Sequence, residues 1–357
     1  MIFLGDIASP TTEHSEILAQ SLKENARLFQ DQISVANLEG LLADISTQSD
    51  TPVLFNHPSI LDALKFANVK ALSLANNHTL DLPLLFENTT SSLDRNNITF
   101  FGAGQSNQKA FEPQYFSAEG YEFTIIGACW HVMLQHQKNP DKGVYVATIK
   151  EQKIIDIIKR EKEKHPNRKI LFLPHWNLDL EKIPFPIHRT FARACIDAGA
   201  SAVIGNHSHC IQGGERYKEG FIIYGLGNFY IPWKTFINGT IHFPEFSKTS
   251  LALEWCLKTN NLTCHYFEYN EKDHKLKLIV SEDFDTGKLI DSYTPYKNMS
   301  SAEYVKWYKK NRRKGFLIPT YVDYRNTFQN TLFDWFLITR IKFARLLAKT
   351  GLRKWNN

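Results

Sequence analysis

The sequence predicts an α/β domain built in layers, and two observations predict it. Short apolar runs rich in β-branched residues recur between residues 1 and 228, and the stretches between them space their apolar residues three and four apart. The first pattern is that of buried strands, the second that of helices lying on a sheet. Their alternation along one chain implies sheets clothed by helices.

In chain order, the expected strands are "MIFLG", "ISVAN", "VKALSLAN", "ITFFG", "FTIIGA", "KILFLPH", "ASAVIGN" and "GFIIYGLGN". The expected helices are "EHSEILAQSLKENARLF", "SILDALKFA", "LPLLFENTTSSLDR", "TIKEQKIIDIIKREKEK" and "HRTFARACIDAG". From about Thr249 to Asp283, three runs separated by Asn-rich or charged turns read as antiparallel strands. The pattern then changes to basic, aromatic stretches of helical period, with Pro319 between them. A boundary near residue 285 separates the main domain, 1–285, from a basic helical extension, 286–357.

The 357 residues, 43% hydrophobic and 22% charged, suit a globular chain with a sizeable core. Five widely spaced cysteines without a CxxC exclude a cysteine zinc site and a disulfide framework, and predict buried free thiols. "MIFLGDIASP" has no basic leader, and no uncharged apolar run reaches about 18 residues. The expected location is therefore cytoplasmic, with no membrane span. Gly102-Ala103-Gly104 is too short for a nucleotide fingerprint and reads as a turn.

The net charge of +5 hides an asymmetry, because residues 301–357 hold 13 Lys and Arg against 3 acidic residues. No nucleic-acid reader motif accompanies this charge, so no nucleic-acid partner is expected. On a helical projection Lys342, Arg345, Lys349 and Arg353 share one face, and Phe336, Phe343 and Leu347 another. Trp335, Phe336 and Phe343 are expected to pack the helix onto the main domain with the charges facing water. The alternative is peripheral contact of residues 328–357 with an anionic membrane surface. Arg189 and Arg193 share a helical face that is expected to be solvated, and His188 or Arg189 is a candidate to border a pocket.

In open α/β sheets ligands gather beyond the carboxyl ends of strands. The polar residues at those positions are Asp6, then Asn37 and Glu39, then Asn76, Asn77 and His78, then His175, then His207 and His209. Carboxylate, amide oxygen and imidazole together suit a borderline-hard divalent ion such as Mn, Fe or Zn. Alternation in an extended segment would aim His207 and His209 to one side, as two ligands of one centre require.

The ordered motifs G-D, N-L-E, N-N-H, P-H-W, G-x-H-x-H and G-N-F ("GLGNF") resemble the CapA family of poly-γ-glutamate capsule synthesis proteins, a branch of the calcineurin-like metallophosphoesterases. The resemblance covers roughly residues 1–280. It implies a four-layer α/β/β/α sandwich with a centre of one or two divalent ions at the strand ends. Asp6 and His209 would serve one metal, Asn77, His175 and His207 the other, and Glu39 would bridge them. His78 would protonate the leaving oxygen, while Asn37, Asn76 and Asn228 would orient ligands or a substrate oxygen.

The family pattern is not matched throughout. Ala8 stands where relatives often place the histidine of D-x-H, Ser208 and Asn177 replace Pro and Gly, and "DLPL" replaces Asp-aromatic-Gly, so that Asn177 and Leu82 are candidates to reshape the pocket mouth. The resemblance implies metal-assisted hydrolysis of a phosphoester in capsule or surface-polysaccharide synthesis, on an anionic small molecule or a glycan or polyglutamate intermediate. The alternatives are a non-catalytic accessory protein of capsule assembly and hydrolysis of a γ-glutamyl amide.

Overall fold

Along the first strand, Ile2–Ile7, successive side chains enter different cores. Ile2 and Leu4 pack with Leu18, Leu22, Ile60 and Leu64 of the covering helices. Phe3 packs with Phe123, Leu171, Ile204 and Ile223 of a second sheet. In that second sheet, Leu171 and Leu173 join the middle core, while Ile170 and Phe172 turn outward to Ile154, Ile158 and Phe191 of another helix layer. The two-residue strand period thus builds helix, sheet, sheet and helix in succession, the expected four-layer sandwich.

This is a computed structural model, and it describes residues 1–45, 53–136, 143–235, 243–314 and 318–349. The first sheet runs Leu276–Asp283, Leu262–Tyr269, Thr249–Trp255, Ile2–Ile7, Ser34–Leu38, Val69–Ser73, Thr99–Phe101, with Asn228–Tyr230 also beside Ile2–Ile7. The second runs Ile211–Tyr217, Gly220–Leu226, Ala202–Ile204, Lys169–His175, Tyr121–Cys129, Gln114–Ala118. The pairs linking Asn228–Tyr230, Ile2–Ile7, Ser34–Leu38, Val69–Ser73 and Thr99–Phe101 are all parallel, so their carboxyl ends leave the sheet together. Register then aligns Asp6 with both Asn37 and Asn228. The three strands from Thr249 to Asp283 are antiparallel, as expected, and complete this sheet.

Beyond residue 285 the chain shares the outer core, where Tyr296, Tyr304, Tyr308, Tyr321 and Leu337 are buried with Trp130 and Phe185. Arg189 and Arg193 do not form a solvated face, which corrects the sequence expectation. Arg189 is buried and donates to the backbone carbonyls of Lys297 and Met299, and both arginines pair with the buried carboxylate of Glu215. An enclosed carboxylate demands such partners, and its position 22 residues or more along the chain hides the pairing from a helical projection.

The helix Thr327–Lys349 also packs differently from the expectation. Phe333, Leu337, Ile338 and Ile341 face the outer core, whereas Trp335, Phe336 and Phe343 are exposed. The helix is apolar around most of its circumference, so sequence pattern alone could not select the inner face. The side chains of Arg345, Leu347 and Lys349, and all of Arg353, lie outside the described residues. Cys129, Cys195, Cys210 and Cys264 are buried free thiols, and Cys256 is partly exposed.

His188 stacks on Trp176 with ring centroids 4.5 Å apart, and Arg189 lines a cavity of about 200 Å³ with Pro186, Tyr304 and Arg325. Burial, followed by the nearby His207, lowers the His188 pKa from 6.5 to about 3. Between those values the unfolded chain binds a proton that the folded chain refuses, so stability is lost as pH falls below 6.5. Between pH 7 and pH 5 this one group should cost about 2 kcal/mol. Denaturant titration of His188→Phe at the two pH values should show a correspondingly smaller loss than the natural chain.

Candidate metal centre

The side chains that sequence reasoning singled out converge at one edge of the sandwich. Asp6 is buried at the end of its strand, where one carboxylate oxygen accepts from Asn37 Nδ2 at 2.8 Å and the other from the His207 backbone N–H at 3.0 Å. Asn37 is fixed in turn by Asn76, whose amide donates to Asn37 Oδ1 at 3.2 Å and to the Leu38 carbonyl at 2.8 Å. Asn76 Oδ1 accepts the backbone N–H groups of His78 and Thr79, both at 3.1 Å, and so shapes the turn that presents Asn77 and His78.

His175 comes from the second sheet. Its Nε2 lies 2.8 Å from Asn77 Oδ1 and 3.5 Å from Glu39 Oε1, and its ring centroid is 4.6 Å from that of His207. His209 Nδ1 meets Asn228 Oδ1 at 2.7 Å and lies 3.8 Å from Asp6. Ligand atoms of Glu39, His175 and His207 all fall within 4.8 Å of one another, as do those of Asp6, Glu39 and His209. Glu39 belongs to both groups.

The His207-Ser208-His209 segment is not extended, which overturns the alternation argument. Both histidines take left-handed backbone angles, φ 88° and φ 52°, in a sharp bend after the strand Ala202–Ile204. Positive φ is unfavourable for such residues and costs about 1–3 kcal/mol each where it persists. The ring centroids nevertheless stand 5.7 Å apart. Asn177 also has positive φ, 78°, a conformation that asparagine tolerates better than most residues and that suits the glycine of relatives. It is buried, and its side chain accepts from Leu178 N–H and donates to the Ile183 carbonyl, so it shapes the loop that follows. Leu82 packs against the helix-side core.

Two acidic residues escaped the sequence reading. Asp179, on the loop that Asn177 begins, lies 3.0 Å from His207 Nε2 and forms a third cluster with His207 and His209. It occurs two residues after the H-W-N stretch, and no pattern marks it there. Asp81 meets His78 Nδ1 at 2.6 Å and accepts the Leu54 N–H at 3.1 Å. Its place three residues beyond His78 in "NNHTLD" was the available signal.

A divalent ion fits these donors. Both oxygens of Glu39 and both ring nitrogens of His207 are buried without a hydrogen bond, the 3.0 Å contact to Asp179 being out of line for one. Burial, reinforced by Asp6, Asp179 and Asp81, raises the Glu39 pKa well above its ordinary value, and burial raises that of Asp6. Burial and the neighbouring His207, His209 and His78 push His175 well below its own. A dication would meet the carboxylates with opposite charge and the neutral imidazoles with a Lewis acid.

Residues 3–232 match the model of the bacterial capsule synthesis protein PGA_cap family. Over 169 residues the chain is 26% identical to the capsule biosynthesis protein CapA of Bacillus anthracis, a match covering 47% of this chain and 41% of that protein. Over 176 residues it is 27% identical to the PGA biosynthesis protein CapA of Bacillus subtilis, covering 46% and 43%. The chain thus spans less than half the length of these relatives. Among solved structures, the 5'-nucleotidase of Candida albicans aligns at a TM-score of 0.43 and 14% identity, over 82% of this chain and 56% of that one.

In ion-free protein the proton held by Glu39 is one that the unfolded chain loses above about pH 4.5. Stability from this group is therefore present below that pH and lost as pH rises toward the folded pKa. Chelator-treated Glu39→Gln should then melt higher than the natural chain at pH 8 and alike at pH 4.5. Added Mn²⁺ should raise the melting temperature of the natural chain only.

Proposed function

Because the chain belongs to the bacterial capsule synthesis protein family, we propose that it is a divalent-metal-dependent hydrolase of a phosphoester in capsule or surface-polymer synthesis. The substrate on this reading is anionic, a small molecule or a glycan or polyglutamate intermediate. The observation that supports it best is Glu39, an enclosed carboxylate common to two ligand clusters, with a histidine–aspartate pair beside them.

Asp6, Glu39 and His209 would hold one ion and Glu39, Asn77, His175 and His207 the other. Such ions supply a lowered pKa for bound water and countercharge for phosphoryl oxygens. The remaining work falls to the chain. Asn37 holds Asp6 in place by donating to it, and Asn228 accepts from His209 Nδ1, which keeps Nε2 as the nitrogen for an ion. Asp81 accepts from His78 Nδ1, so a proton at Nε2 is the one delivered to the leaving oxygen. Where Ala8 offers no imidazole, Asp179 offers a carboxylate oxygen to the cluster from the opposite loop.

A panel of phosphomonoesters, phosphodiesters and γ-glutamyl peptides assayed with Mn²⁺ tests the reading. Turnover of a phosphoester is expected. Turnover confined to γ-glutamyl peptides would move the assignment to amide hydrolysis, and silence across the panel by metal-loaded protein would leave an accessory role. His78→Ala should lower kcat by about 10²–10⁴-fold with metal content unchanged. Asp81→Asn should act in the same direction by roughly 10–100-fold.

A further inference from the structure

We propose that the outward face of the helix Thr327–Lys349 docks on an anionic lipid surface, with the helix lying flat on it. The proposal stands apart from the metal centre and rests on the way this helix divides its residues between two faces.

The inward face is occupied. Leu337 is buried in the outer core, with Phe333, Ile338 and Ile341 packed beside it. Asp334 on the same side pairs with His131 Nε2 at 2.9 Å and accepts from the Tyr321 hydroxyl at 2.8 Å. The opposite face carries Phe328, Leu332, Trp335, Phe336, Phe343 and Leu346, exposed by 42% to 76%. At about 100° per residue these six fall within an arc of roughly 100°, centred away from Leu337. Single exposed apolar side chains are ordinary, but six on one stripe constitute a contact surface.

Charge selects the occupant. Arg340 and Lys342 are exposed beside the stripe, and the one acidic residue of the helix, Asp334, is turned inward. Residues 328–357 hold six Lys and Arg against that single acid. A second copy of the same face would bring like charges together, whereas an anionic headgroup layer meets them with opposite charge. The aromatic residues suit the boundary between headgroups and acyl chains, where tryptophan is enriched. Among the described residues no helix is long and apolar enough to cross a membrane, so this one would lie in the interface and not span it.

The test is co-sedimentation of the full chain with phosphatidylcholine vesicles, with and without about 30% phosphatidylglycerol. Binding is expected on the anionic vesicles, falling about tenfold when salt rises from roughly 0.1 M to 0.5 M. The double variant Trp335→Ser with Phe343→Ser should lower it by at least about tenfold at an unchanged melting temperature. If that pair impairs folding, Phe328→Ser with Leu332→Ser at the other end of the stripe gives the same reading. Arg340→Glu with Lys342→Glu should abolish the preference for anionic vesicles. Failure of the natural chain to sediment with anionic vesicles overturns the proposal, as does binding that none of these variants weakens. A dimer in light scattering that the serine variants dissociate, without vesicle binding, would assign the face to a second copy instead.

Discussion

A carboxylate closed off from water, with neither oxygen accepting a hydrogen bond, is the constraint around which this molecule is arranged. Glu39 is fixed through its backbone, its N–H donating to the Ile7 carbonyl at 2.8 Å and its carbonyl accepting from Asn56 Nδ2 at 3.0 Å. The backbone is satisfied while the side chain is left to face Asp6, His175 and His207. A buried carboxyl group that makes no hydrogen bond costs about 1–3 kcal/mol in lost solvation, and the left-handed backbone of His207 and His209 adds to that cost. Such expense is sustained by the three cores of a large sandwich, and local rules broken together at one edge mark a functional site.

Asparagine supplies the order at that edge. Asn76, Asn37 and Asn228 use amide groups to tie the strand ends to Asp6 and His209, so these candidate ligands are held by hydrogen bonds from neighbouring strands. The parallel register makes this possible, because Asn228, Asp6 and Asn37 stand side by side where their strands end. Amides add no charge to a site that already crowds the carboxylates of Asp6, Glu39 and Asp179, which lets Asn37, Asn76 and Asn228 orient their neighbours without deepening that repulsion.

Most strands of the two sheets could be found in the sequence because they are buried on both faces and read as unbroken apolar runs. Gln114–Ala118 and Ile211–Tyr217 could not, since the first alternates exposed and half-buried residues at a sheet edge and the second contains Gly213 and Gly214 at a bulge. The candidate ligands were legible as the first polar residues after those runs. Asp179 was not, because it arrives from a loop whose path depends on the left-handed angle of Asn177. The inner face of the last helix was equally hidden, since Phe336 and Leu337 are equivalent in hydrophobicity and only the position of the outer core separates them.

That loop also joins the edge that carries the candidate ligands to the extension. Asn177 starts it, and Leu180 N–H donates to the Ser208 carbonyl at 2.8 Å, between the two strained histidines. Glu181 follows, its carboxylate accepting the backbone N–H groups of Arg313 and Lys314 and its carbonyl accepting from Gln212 Nε2 at 2.6 Å. Tyr304 donates to the Pro184 carbonyl at 2.6 Å. The segment carrying Asp179 is therefore held on one side by the histidine bend and on the other by residues beyond 285. The helical extension consequently acts as more than a cover for the outer sheet: through Glu181 and Tyr304 it fixes the path of the loop that delivers Asp179, and any force on the extension bears on the geometry of the centre.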